Sequence, residues 1–333
     1  YGFGYDMLAA SAYVTDGARI IPVDDAVADR LRAEIEQRFD FIPSPERLAW
    51  AIREMCRRYP HHPVRDYLDN LPRWDGITRS EQWLIYHAGA EDTPFVRAAS
   101  QLFLRAAVRR VFQPGCKHDE LLVLIGPQGS GKSMLAKYGI LPEPDWHTAS
   151  LNLADDPKQT IEKTRGIWIA ELEEMTGSTR KEIEAVKAFC SRAVDGPVRL
   201  AYDRFPVRVP RRCVLIGTTN TPEIFSDITG GRRFWPIRVG QRIDIQGVVA
   251  VRDQLWAEAL SLEQADNQSP LWLPEHLWTA AAEIQERHRQ IHPAEDLLTE
   301  WAAGFQGNSI SAKALWSSVL MTDPLTPAGR AIY

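Results

Sequence analysis

The spacing of apolar residues divides the chain into a mostly helical beginning, an alternating middle and a helical end. Ala26–Phe39 sets Val27, Leu31, Ile35 and Phe39 on one face at helical spacing. Pro45–Arg58 repeats the pattern behind Ser44, a residue suited to cap a helix. Turn formers then break His61–Arg79 around a short helix, with Trp74-Asp75-Gly76 as a packed structural turn. Thr93–Phe112 is a longer helix, and its arginines, Arg97, Arg105, Arg109 and Arg110, read as a solvated face. The period changes after it. Leu121–Ile125 is an unbroken apolar run, the mark of a buried strand, and Gly166–Glu171, Arg212–Thr218 and Phe234–Val239 read as three further strands. Helices at Asp155–Thr164 and Arg180–Ala193 separate them, as in an α/β domain. Val251–Leu262, Leu277–Arg289 and Ser311–Leu320 return to helical spacing. Residues 1–90 thus read as a helical N-terminal region, 91–240 as an α/β core, and 241–333 as a helical C-terminal region cut short.

The first strand carries the chemistry on which the rest depends. It runs into Gly126-Pro127-Gln128-Gly129-Ser130-Gly131, then Lys132 and Ser133, then a helical run from Met134 to Tyr138. Strand, glycine-rich loop, Lys-Ser and helix is the P-loop order. Glycines let the backbone turn tightly and aim N–H groups at phosphate oxygens, and the new helix adds its positive end. On this reading Gly126 to Met134 cradle ATP, Lys132 reaches the β- and γ-phosphates, and the Ser133 hydroxyl holds Mg²⁺.

Three later stretches could complete such a site. The strand Gly166–Glu171 ends in acids, Glu171, Glu173 and Glu174, about 35 residues on. One acid supports the Mg²⁺ shell and another polarises the attacking water; Glu171 is assigned to the metal and Glu174 to the base, with Glu173 as its substitute. The strand Arg212–Thr218 ends in Thr218-Thr219-Asn220, and the Asn220 amide can orient water and sense the γ-phosphate. Arg232 and Arg233 follow a Gly-Gly turn and are candidates for an arginine finger, or for buried partners of the acids. Between these lies Pro197–Arg212, where Val198–Tyr202 and Val207–Val209 can pair across Asp203-Arg204-Phe205. The stretch from 197 to 212 carries Arg199, Arg204, Arg208, Arg211 and Arg212, with Tyr202 and Phe205 near the tip. Such a hairpin either holds single-stranded nucleic acid, through arginine–phosphate contacts and base stacking, or is structural, with its arginines paired to nearby acids.

Composition narrows the classes. The chain has 333 residues, 44% hydrophobic and 25% charged, the profile of a globular protein. No apolar run approaches the ~20 residues of a membrane span, and there is no basic leader. A net charge of −5 confines any nucleic-acid contact to a local patch. Cys56, Cys116, Cys190 and Cys213 are scattered, which predicts reduced thiols in a cytoplasm. Cys56 with His61 and His62, or Cys116 with His118, matches no zinc-finger spacing. The chain lacks an initiator Met, which predicts a fragment of a longer protein with room for an upstream module.

With HPVRDYLDNLPRWDG, PGCKHDELLVLIGPQGSGKS, GIWIAELEEM, VKAFCSR, RRCVLIGTTN and DITGGRRFWPIRV in this order, the chain resembles the virulence-associated protein E family from about Pro60 to Arg289. These are P-loop ATPases of phages, plasmids and pathogenicity islands, related to superfamily 3 helicases within the AAA+ group. The resemblance implies a three-layer αβα ATPase core with a hairpin at 197–210 ahead of the sensor strand. It implies that Lys132 and Ser133 are the Walker A pair, that Glu171 and Glu174 take the Walker B roles, and that Asn220 is the sensor at the end of the fourth core strand. It further implies that Arg232 or Arg233 reaches a neighbour's ATP in a homo-oligomeric ring, a hexamer in superfamily 3 relatives. The hairpin, through Arg204 and Arg208, would track single-stranded DNA. An upstream primase-like module is common in the family. The acidic motif reads ELEEM and not an adjacent acid pair, which leaves the base open between Glu173 and Glu174.

The expected function is an ATP-dependent helicase or DNA-remodelling motor of a mobile element. The alternative is an ATP-driven signalling or anti-phage switch in which DNA is not the substrate. A non-hydrolysing scaffold has no need of Lys132, Glu174 and Asn220 together, and a small-molecule kinase has no use for the paired arginines.

Overall fold

The computed structural model describes residues 1–152, 155–173, 180–199, 205–222, 233–288 and 301. The chain opens not with a helix but with a small sheet. Strands β1 (Gly2–Asp6), β2 (Ser11–Asp16) and β3 (Arg19–Pro22) form an antiparallel meander. The helical spacing of residues 26–58 does not extend backward over them. Gly17-Ala18, with Gly17 at φ +60°, joins β2 to β3 in a tight two-residue hairpin turn that glycine suits. Helices α1 (Asp25–Phe39) and α2 (Pro45–Arg57) follow, capped by Asp24 and Ser44. Strand β4 (Pro60–His61) then pairs parallel to β1, giving the order β3-β2-β1-β4. Val14 of the sheet meets Val27, Leu31, Leu48, Ile52 and Cys56 of the two helices in a core of their own.

Helices α3 (Pro63–Asp69), α4 (Trp83–Ala88) and α5 (Pro94–Phe112) lead to the main sheet. The turn between α3 and α4 is structural, as its sequence suggests: Trp74 Nε1 donates to Ile77 O at 3.0 Å, and Asp75 takes two hydrogen bonds from Arg79. The arginines of α5 depart from expectation. Arg97 alone makes a surface pair, with Asp92. Arg105 and Arg109 both bind the buried Glu263 carboxylate, and the buried Arg110 donates to the carbonyls of Cys213 and His118. These long side chains bury their stems and find acceptors inside the fold, which a charge count along one helix cannot reveal.

The main sheet has five parallel strands: β5 (Leu121–Ile125), β6 (His147–Thr148), β7 (Ile169–Leu172), and, beyond a hairpin, β10 (Val214–Thr219) and β11 (Phe234–Arg238). The hairpin is β8 (Val194–Val198) with β9 (Val207–Pro210). The intervening helices are α6 (Lys132–Met134), extended by a π-helical turn at Leu135–Gly139, α7 (Pro157–Thr164) and α8 (Arg180–Cys190). Helices α9 (Ile245–Ala265) and α10 (Trp278–Arg287) close the described chain; the expected helix at 311–320 lies outside the described residues.

Alternate residues of the strands enter two different cores, as a sheet covered on both faces requires. Leu122, Leu124, Ile169, Val214, Ile216, Trp235 and Ile237 face α4, α5 and α9. Leu121, Val123, Ile125, Ala170, Leu172, Leu215 and Phe234 face Val186, Phe189 and Cys190 of α8. Every residue of β5 is buried, and each such aliphatic side chain contributes about 1.5–3 kcal/mol. The strand order is β11-β5-β10-β7-β6. Strand β10, late in the sequence, inserts between β5 and β7, so their C-terminal ends stand two strand spacings apart, ~9.6 Å, with β10's end between them. Among the described residues no helix is long and apolar enough to cross a membrane.

The hairpin differs from expectation in register. Its first strand is Val194–Val198, with Val194 opposite Pro210 and Val198 opposite Val207. Gly196 and Pro197 read as strand breakers, yet an irregularity between Asp195 and Val198 accommodates them. Gly196 has φ +97°, and a Cβ there would stand 2.6 Å from the Val207 carbonyl oxygen. Tyr202 and Arg204 lie outside the described residues.

Candidate functional site

Three strand ends build the site. After β5 the chain turns through Gly126–Gly131, with Gly129 at φ +77° and Gly131 at φ +101°, and Lys132 then opens α6. Lys132 lies back over its own loop. Its Nζ donates to Gly126 O at 2.8 Å, Pro127 O at 2.9 Å and Asn220 Oδ1 at 2.9 Å, which uses all three of an ammonium's hydrogens. Burial pulls the Lys132 ammonium below its ordinary pKa, and the Glu171 carboxylate opposes that pull. Asn220 stands at the end of β10, so the inserted strand delivers its amide to the lysine.

Glu171, on β7, is fully buried. Its Oε1 accepts from Ser133 Oγ at 2.6 Å and Thr218 Oγ1 at 2.7 Å, and its Oε2 bonds His147 Nε2 at 2.9 Å. Burial pushes the Glu171 carboxyl up, but the hydrogen bonds from His147, Ser133 and Thr218 outweigh it and leave the pKa below the ordinary value. Glu171 is therefore a carboxylate at neutral pH, an acceptor only, and the proton between it and His147 belongs to Nε2.

These groups open on a cleft of about 360 Å³ lined by Gln128, Gly131, Lys132, Ser133, Glu173 and Asn220, among others. Larger clefts lie elsewhere, about 480 Å³ beside β11 and α10 and about 560 Å³ between the 68–76 segment and α9. Size does not single out the site; the convergence of a lysine, two hydroxyls, an amide and a buried carboxylate does. Among the described residues no three His, Cys, Asp or Glu side chains are placed to hold a metal by themselves. Ser133 Oγ lines the cleft and Glu171 Oε1 lies directly behind it, two hard oxygen donors in contact, the donor set that Mg²⁺ takes when phosphates complete its shell.

The structure thus brings together Lys132, Ser133, Glu171 and Asn220, with Glu173 exposed on the cleft wall. Glu174 and Arg232 lie outside the described residues. Arg233 does not join the site. It precedes β11, and β11 runs parallel to β5 with Phe234 beside Leu121, so Arg233 stands at the opposite end of the sheet. Five residues of strand, about 16 Å, intervene. On the hairpin, Arg208 is exposed on β9 and Phe205 is 77% exposed. Arg211 instead makes a buried bidentate pair with Asp195, at 2.7 and 2.8 Å, so it is no candidate for a nucleic-acid contact.

A family model for the virulence-associated protein E-like domain matches residues 68–290 of the 333. The chain belongs to that family. The match to this virulence-associated protein E-like domain spans α4 to α10 and so holds every strand of the main sheet, while β1–β4 and most of α3 lie before it. No curated protein matches the chain. Among solved structures, the A form apo structure of the NrS-1 C-terminal region (305–718) superposes with a TM-score of 0.50 at 11% identity, covering 99% of this chain and 80% of that one. A second apo structure of the same region gives 0.48 at 13% identity, with 99% and 81% covered. At such identity the likeness is one of fold.

Sequence reasoning missed two residues of the site. Thr218 was in view only as part of the strand end. His147 had no local signal: it sits in a two-residue strand 24 positions before Glu171, and only the sheet order brings the two together.

Proposed function

We propose that the chain is an ATP hydrolase that works as a DNA helicase or translocase in the replication of a phage or plasmid. The observation that carries the reading is the meeting of Lys132, Ser133, Glu171 and Asn220 at three adjacent strand ends. The spacing of those ends suits a triphosphate laid across them. The neutral acceptors that now hold Lys132 would give way to phosphate oxygens, which form stronger, charge-assisted bonds. Backbone N–H groups of the glycine loop would bind the β-phosphate side, as in other P-loops. Ser133, with Glu171 in support, would hold Mg²⁺, which when bound would offset the phosphate charge. Released by Lys132, the Asn220 amide would face the γ-phosphate and order the attacking water, with Glu173 or Glu174 taking its proton.

Arg233 lies too far along its own sheet to reach this site. That supports a role for Arg232 or Arg233 across an interface, at a neighbour's ATP, and hence a homo-oligomeric ring with the hexamer as the expected form. The exposed Arg208 and Phe205 suit a single strand threaded past the hairpin, Arg208 with Arg204 meeting phosphates and Phe205 stacking. Family membership supports the replication setting, and an upstream primase-like module would fit it. The test is turnover with and without single-stranded DNA. DNA stimulation that Arg204→Ala or Arg208→Ala removes, with basal turnover intact, bears the motor out. Turnover indifferent to DNA favours a switch.

A further inference from the structure

We infer that His147 is a positioning residue for the metal-side carboxylate: its Nε2–H fixes Glu171 so that Oε1 faces Ser133 and Thr218, which line the cleft. This rests on the reading of Ser133 and Glu171 as the Mg²⁺ side of a nucleotide site. The two carboxylate oxygens are not equivalent. Oε1 takes both hydroxyls, Ser133 at 2.6 Å and Thr218 at 2.7 Å, whereas Oε2 takes the imidazole at 2.9 Å. A carboxylate held only at Oε1 can swing about its last torsion, which is soft. The imidazole removes that freedom. Glu171 and His147 have side-chain exposures of 0% and 5%, so no solvent replaces the bond.

The scaffold behind His147 is built to hold it still. Strand β6 pairs with β7 by setting His147 beside Ile169. Trp168 N donates to Trp146 O at 2.8 Å, tying the residue before His147 to the strand that carries Glu171. Trp146 packs edge-on against Trp168, Tyr67 touches both rings, and Trp168 lies 4.2 Å from Trp256. Four aromatic side chains from separate segments thus anchor a strand only two residues long. A ligand's orientation is commonly set by a partner one contact removed, whose loss costs about 10–100-fold in metal affinity or activity.

The test compares His147→Leu, His147→Asn and His147→Gln with the unaltered chain. Leucine removes the donor, asparagine carries an amide too short to reach Glu171, and glutamine places an N–H near the position of Nε2. ATP binding is measured by calorimetry with Mg²⁺ and with EDTA, and the apparent Mg²⁺ requirement of turnover is measured beside it. The expected result is EDTA affinity unchanged in all three, with the affinity gained from Mg²⁺ falling about tenfold or more in the Leu and Asn chains. The Gln chain should recover most of that gain. If the Leu chain fails to fold, the Asn–Gln pair decides. Wild-type Mg²⁺ gain in the Asn chain, or an equal loss of affinity with and without metal, overturns the inference. Glu171→Gln and Ser133→Ala in the same assay separate the two claims. If they abolish the gain and His147→Asn does not, only the positioning role fails. If they leave it intact, the site reading fails and the role of His147 with it.

Discussion

Replacing Asp195 with alanine isolates the force that pins the base of the hairpin. Asp195 and Arg211 both have side-chain exposures of 2%, and the guanidinium gives the carboxylate two hydrogen bonds, at 2.7 and 2.8 Å. A third N–H goes to Phe189 O at 2.6 Å, and the guanidinium carbon lies 4.2 Å from the centre of the Phe189 ring. Burial alone would pull the Arg211 pKa down, but Asp195 more than reverses this. Removing the carboxylate leaves two charged N–H groups without acceptors in the interior. Charge-assisted bonds are worth about 1.5–3 kcal/mol each, and breaking one side of a buried pair costs about 3–5 kcal/mol, so the expected loss is about 4 kcal/mol. Urea unfolding followed by tryptophan fluorescence measures it. Removing both charges, as Asp195→Ala with Arg211→Met, should recover most of the loss, because the penalty lies in the unpaired cation. A single-variant loss below about 1 kcal/mol would mean that the pair is solvated, and a double variant no better than the single would place the cost in packing.

Arg208→Ala, on the exposed outer part of the same hairpin, should leave unfolding within about 0.5 kcal/mol of the parent and lower only DNA-stimulated turnover; equal loss with and without DNA contradicts it. Glu263→Ala should cost about 3–5 kcal/mol in chemical unfolding, because it strands Arg105 and Arg109 on the buried side of α5, and a loss under about 1 kcal/mol refutes the clamp. The fold holds Glu171 below the carboxyl's ordinary pKa, so its ionised form stabilises the native state. That contribution is full above the ordinary value of 4.5 and is lost as pH falls through the lower folded value. The stability of the parent relative to Glu171→Gln should therefore decline from pH 6 to pH 3 in paired urea titrations, and a pH-independent difference contradicts the assignment.

The central strands and the lysine loop were legible because they depend on short-range signals. A continuous apolar run marks a strand buried on both faces, and loop glycines with Lys-Ser mark a turn that ends in a helix. The helix start at Ser44 was legible for the same reason, its side chain accepting from the backbone N–H of Arg47 three residues on. What stayed hidden is set by contacts between distant segments. The arginines of α5 look solvated until Glu263, more than 150 positions later, arrives beside them. His147 becomes part of the site only because β6 takes the sheet edge next to β7. The N-terminal strands were a different kind of miss. The Gly17-Ala18 turn stands in the sequence, but the stronger helical period that follows hides the short strands on either side of it.

ATP turnover of the unaltered chain and of Lys132→Ala, each with and without single-stranded DNA, is the decisive measurement. Turnover that requires Lys132 and rises with DNA is the expected result. Turnover that survives in Lys132→Ala would contradict the assignment of the site, and turnover that requires Lys132 but ignores DNA would contradict the motor.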